Sequence, residues 1–252
     1  MKLFNSILLF AFALSLGCSP LKKYEHTRER FNDDVKKLLV LEDYKKWDDY
    51  YLFVGSSSIR RWDNIAQDMH PFRSVKRGYG GAHFYDLIHF TESLVAPHQH
   101  AKALLCFVGN DISGAETDLS PNQAFRLFKF FKKQVHGLFP DLPIYFIEIT
   151  PTPARWNVWS QISSFNSKVR TYASSHPKVK FISTQSQFLG DNGRPIPRLY
   201  MSDSLHLSED GYEVWSKAIK QNLTKNDPYF VEKRELEVKQ FFIEGNEAVA
   251  LG

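Results

Sequence analysis

The sequence holds only two cysteines, Cys18 and Cys106, among its 252 residues. Two thiols cannot build a disulfide framework, so the fold must rest on a packed core. A dominant charge is also missing. The 32 Lys and Arg against 28 Asp and Glu leave a formal net charge of +4 with no basic stripe, which excludes the electrostatic footprint of a nucleic-acid binder. No apolar run approaches the roughly 20 residues that span a bilayer core. Internal repeats and low-complexity tracts are absent. What is there is ordinary for a globular domain: 43% hydrophobic and 24% charged residues, in a chain long enough to bury a sizeable core.

The amino-terminal residues differ in kind. Lys2 precedes an uncharged apolar run from Ile7 to Leu16 that ends at Gly17 before Cys18. A basic start, a short apolar stretch and a small residue form a signal-peptide layout over residues 1–17, with a retained membrane anchor as the alternative. Leu14-Ser15-Leu16-Gly17-Cys18 also resembles a bacterial lipobox, although Ser15 holds the place where leucine is usual. Lipidation of Cys18 and anchoring to the cell envelope are expected, with simple secretion as the other reading. Cys106, inside the apolar run Ala103 to Val108, reads as a small core residue. Residues 18–50 are charged and weakly periodic, and read as a helical or partly flexible spacer. Residues 226–252 mix Phe230, Val231, Leu236, Val238 and Phe241 with charges and read as a C-terminal extension without chemistry of its own.

Between them, residues 51–225 alternate short apolar runs with helical patterns. Tyr51 to Val54, Ala103 to Val108, Ile144 to Ile149 and Val179 to Ser183 read as buried strands, and Phe72 to Lys76 as a weaker fifth. Helical spacing occupies 59–69, 83–95, 121–138, 157–175 and 208–222. This alternation predicts an α/β fold, a three-layer α/β/α sandwich on a five-stranded parallel sheet. Ligands of such sheets bind at the carboxyl ends of the strands. The chemically suggestive residues follow the strands as that rule requires.

The first strand runs into Gly55-Ser56-Ser57-Ser58, which places a serine on a tight turn opening a helix. The second glycine of a G-x-S-x-G elbow is missing, which argues against an α/β-hydrolase. Serines also cap helices, so the triplet needs support from elsewhere. Near the other end, Asp203 and His206 lie three residues apart in the loop before a helix with Ser208 as its N-cap. There a carboxylate can orient one imidazole nitrogen and leave the other free as a general base. Gly78-Tyr79-Gly80-Gly81 offers backbone N–H groups, and Asn110 offers an amide, as donors to an oxyanion. Taken singly these would be turn chemistry; their joint placement is the signal. His98 and His100 are the one tempting metal pair, but with no third ligand nearby they read as part of a surface loop. No metal or cofactor is expected.

Phe53-Val54-Gly55-Ser56-Ser57-Ser58-Ile59-Arg60, Arg77-Gly78-Tyr79-Gly80-Gly81, Val108-Gly109-Asn110-Asp111 and Asp203-Ser204-Leu205-His206 resemble the four sequence blocks of the SGNH (GDSL-like) hydrolase superfamily. The resemblance implies Ser57 as nucleophile, His206 as base and Asp203 as its orienting acid. It also implies an oxyanion hole made by the backbone N–H groups of Ser57 and Gly81 and the side chain of Asn110. Ser56 stands where that family has Asp, and Lys76 where Asn is common. The implied activity is ester hydrolysis, with acyl transfer, a thioesterase or lysophospholipase reaction, or an inactive binding lipoprotein as alternatives. A loop carrying Arg155, Trp156 and Trp159 after the fourth strand, and no lid-like segment, point to small acyl esters. O-acetyl groups on a carbohydrate are the expected substrate.

Overall fold

A computed structural model describes residues 29–226. The signal-peptide reading, Cys18 and nearly all of the C-terminal extension lie outside the described residues. Five strands, β1 (Tyr50–Gly55), β2 (Ser74–Gly78), β3 (Ala101–Phe107), β4 (Ile144–Ile147) and β5 (Val179–Ile182), form one all-parallel sheet in the order β2-β1-β3-β4-β5. All six residues of β1 are buried, as expected of a strand covered on both faces. The weak second strand is present, shifted toward Gly78.

The helices are α1 (Asn32–Leu39), α2 (Ser57–Arg60), α3 (Ile65–Asp68), α4 (Phe84–Val95), α5 (Pro121–Leu138), α6 (Trp159–Ser174), α7 (Gln185–Phe188) and α8 (Glu209–Asn226). 3₁₀ segments occupy Pro153–Val158, kinked at Arg155, and the single turn Pro197–Leu199. On one face of the sheet Phe84, Phe128, Phe146 and Phe165 interlock, with neighbouring ring centroids 5.4–6.4 Å apart. On the other, Trp62 packs against Phe53, Tyr212 and Trp215. A continuous helix over 59–69 does not form. The chain breaks into two short helices because Trp62 turns into the core, where its indole N–H donates to Asp68 at 2.6 Å.

The segment before β1 is not a spacer from residue 31 onward. Phe31 and Val35 are buried in the core, and Phe31 lies 5.1 Å from Tyr79, centroid to centroid. Arg77, 2% exposed, donates to the Leu41 carbonyl and pairs with Asp43 at 2.6 Å. His98 is likewise no surface residue. It is buried, shares a 3.0 Å hydrogen bond with the Tyr50 hydroxyl and packs on Tyr44, and burial lowers its pKa to about 4.

Candidate active site

In a sheet of this order, β1 and β3 are neighbours whose onward connections leave in opposite directions, which opens a crevice at their carboxyl ends. The Gly55–Ser57 turn sits there. Gly55 ends β1 with φ +140, and a Cβ on it would lie 2.0 Å from the Phe107 carbonyl oxygen, so only glycine lets the two strands close at this point. The chain then turns sharply: Ser56 N–H donates to that same carbonyl at 2.9 Å, and Ser57 opens α2. The backbone N–H of a first-turn helical residue has no intrahelical partner, which suits Ser57 to donate toward an oxyanion.

The turn is braced from two sides. Tyr212, on α8, donates its hydroxyl to the Ser58 carbonyl at 2.8 Å while stacking on Trp62. Lys76, the residue that departs from the family pattern, donates to the carbonyls of Arg60 and Trp62 at 3.0 and 3.1 Å. Its ammonium therefore caps the end of α2 from the neighbouring strand.

Asp203 and His206 lie on a loop shaped by its own backbone. Ser204 takes a left-handed conformation with φ 58, and the Leu205 and His206 N–H groups both donate to Asp203 Oδ1, at 3.0 and 2.9 Å. Asp203 Oδ2 faces His206 Nδ1 at 2.6 Å, and His206 Nε2 faces Ser57 Oγ at 2.9 Å. Partial burial pushes the Asp203 carboxyl upward, but the bonds from the His206 side chain and the two backbone N–H groups more than offset this and hold it at about 2. An ionised carboxylate only accepts. The imidazole proton therefore belongs on Nδ1, and Nε2 presents its lone pair to the serine hydroxyl. Just beyond, Ser208 caps α8, accepting from Gly211 N–H at 3.2 Å and donating to the Arg198 carbonyl at 2.7 Å.

Asn110 follows β3. Its Nδ2 donates to the Ala82 carbonyl at 2.8 Å and its Oδ1 accepts from Arg155 Nη2 at 2.7 Å. Gly81 has φ +77, in the region that favours glycine, with Phe31 against it. It belongs to the turn after β2 and does not wall the cavity at Ser57. That cavity holds about 30 Å³ and is bounded by Ser57, His206, Asn110 and Arg155 together with Ile149, Thr150 and Trp215.

The loop after β4 divides its expected residues. Arg155 reaches the site, where two of its guanidinium N–H groups are engaged by the Gly109 carbonyl and Asn110 Oδ1. Trp156 and Trp159 stack on each other at 6.1 Å and 10°, with the Arg194 guanidinium 5.0 Å from the Trp156 ring centre, and neither lines the cavity. Sequence reading missed Lys76, Tyr212 and the Phe31 contact as supports of the site. The departure at Lys76 was the one local signal available.

No protein-family model matches the chain, and no curated protein does either. Solved structures do match in fold. A protein from Streptococcus pneumonia described by reference to platelet activating factor is 21% identical with a TM-score of 0.67, over 81% of this chain and 97% of that one. A GDSL-like lipase from Bacteroides thetaiotaomicron is 18% identical with a TM-score of 0.61, over 79% and 97%. A variant of an acetyl-xylooligosaccharide esterase from Geobacillus Stearmophilus is 15% identical with a TM-score of 0.55, over 68% and 93%. The chain has the α/β fold of the GDSL-like lipases and acylhydrolases.

Proposed function

We propose that the chain is a serine esterase that removes small acyl groups, O-acetyl groups on a carbohydrate in particular, through an acyl-enzyme on Ser57. The observation that carries this reading is the unbroken relay from Asp203 through His206 to Ser57, at 2.6 and 2.9 Å. His206 Nε2 takes the hydroxyl proton as Ser57 Oγ bonds to the ester carbonyl carbon. The oxygen anion that results is met by the Ser57 N–H and the Asn110 amide, both of which line the cavity. The same proton then passes to the departing alcohol as its C–O bond breaks, and a water repeats the sequence to free the acid.

The acyl size is argued from space. The cavity of about 30 Å³ walled by Ile149, Thr150 and Trp215 supports a small acyl group such as acetyl. Trp156 and Trp159, which follow Arg155 in the chain, add aromatic side chains of the kind sugar rings pack on. The esterase from Geobacillus Stearmophilus acts, by its name, on an acetyl-xylooligosaccharide. Anchoring through lipidated Cys18 belongs to the same proposal and would hold the enzyme at the cell envelope.

A series of p-nitrophenyl esters from acetate to palmitate tests the acyl class. Peak kcat/KM at acetate or butyrate is expected, and a preference for eight carbons or more would overturn it. Cys18→Ala should lose membrane-fraction recovery and labelled palmitate; equal membrane binding would refute the anchor.

A further inference from the structure

We propose that Arg155 is a positioning residue of the oxyanion hole: it fixes the Asn110 side-chain amide with an Nδ2–H aimed at the reacting carbonyl. The inference rests on the esterase reading above. Asn110 Oδ1 accepts from Arg155 Nη2 at 2.7 Å, and Nη1 of the same guanidinium donates to the Gly109 carbonyl. One fork thus grips the side chain of Asn110 and the backbone immediately before it. On the other side, Asn110 Nδ2 donates to the Ala82 carbonyl at 2.8 Å.

These partners define the amide's orientation. Rotating the amide by 180° would set its NH₂ against a guanidinium donor and its oxygen against the Ala82 carbonyl, two repulsive contacts in place of two bonds. Nδ2 carries two hydrogens, and Ala82 uses one. The other is left for the substrate. A cationic donor on Oδ1 also polarises the amide and strengthens the remaining Nδ2–H as a donor, since linked hydrogen bonds reinforce one another.

Arg155 is built into this place. Gly109 leaves the room it needs: a Cβ there would come within 3.4 Å of Arg155 Nη1 and 3.3 Å of Ile149. Burial lowers the pKa of the guanidinium, while Asp118 and Asp111 oppose that shift, and an arginine stays charged throughout. The loop is also tied to the acid–base loop, because Ala154 N–H donates to the Ser204 carbonyl at 3.1 Å. Donor and base are in this way held to one another through residues 154 and 155.

The test is a double-mutant cycle on p-nitrophenyl acetate. Arg155→Ala should lower kcat by roughly 10- to 10²-fold, less than the roughly 10² to 10³-fold expected for loss of an oxyanion donor itself, with KM within about threefold. Arg155→Lys should also lose activity, because an ammonium cannot span both acceptors, and added guanidinium should restore part of the rate of Arg155→Ala. In an Asn110→Ala background, Arg155→Ala should cost nothing further. Wild-type kcat in Arg155→Ala, or a full additional loss in the double variant, would overturn the proposal. An inactive wild type would instead defeat the esterase reading. In that case the side-chain amide NMR signal of Asn110 still decides: it should shift in a folded Arg155→Lys protein, and an unmoved signal refutes the positioning role.

Discussion

Asp111, one residue beyond the proposed oxyanion donor Asn110, is a carboxyl that the fold keeps at a cost. It is 5% exposed, and its two oxygens accept from the Phe84 N–H at 3.1 and 3.3 Å, which caps the start of α4. Burial pushes its pKa from 3.8 up to about 6; His83 and the Phe84 bond pull downward and Asp86 pushes further up. At about 1.4 kcal/mol per pKa unit, that rise corresponds to on the order of 3 kcal/mol. Because the folded-state pKa is raised, the favourable contribution of the neutral acid is fully present below the unfolded value and is lost as pH rises through about 6. Asparagine cannot ionise but keeps an oxygen for Phe84. The stability of Asp111→Asn minus that of wild type should therefore grow by roughly 2–3 kcal/mol between about pH 4 and about pH 7.5. Urea unfolding of both proteins across that range, followed by tryptophan fluorescence, measures it, and the subtraction cancels carboxylates common to the two. A difference that is flat with pH, or that grows toward acid, would refute the reasoning.

Other substitutions probe the relay and its scaffold. His206→Ala should cut kcat on p-nitrophenyl acetate by about 10³-fold or more; near-normal turnover in that variant would defeat the mechanism. Gly55→Ala should destabilise the fold by several kcal/mol, beyond the ~1–3 kcal/mol of ordinary overpacking, because its Cβ would sit 2.0 Å from the Phe107 oxygen; thermal melts that match wild type would contradict the geometry. Phe31→Ala should cost roughly 3–5 kcal/mol, as for a buried phenylalanine, if the segment before β1 belongs to the domain. Unchanged stability in denaturant would return that segment to the role of spacer.

The strands and the site blocks were legible because their signals are local. An apolar run bounded by glycine, a serine placed on the turn after it, and an acid three residues before a histidine each specify chemistry within a few residues of chain. The alternation of strands with helices then implied a parallel sheet and put those blocks at one edge. Helix continuity was less legible: between Ile59 and Met69 the local sign of a break is Asp63-Asn64, and the core's demand for Trp62 decides it.

The supports of the site join residues far apart in sequence. Asn110 and Arg155 are 45 positions apart, Ser58 and Tyr212 154, and Tyr50 and His98 48. A polar side chain's role in such a pair depends on which partner folding delivers to it. Arg155 reads as a free sugar-binding cation until Gly109 and Asn110 are brought against it, and His98 reads as solvated until Tyr50 and Tyr44 enclose it. The sequence by itself determined the candidate reacting groups and their order along the sheet. Tertiary structure alone decided which neighbours hold those groups in place, because burial and hydrogen-bond partnership are properties of the packed chain rather than of any short stretch of it.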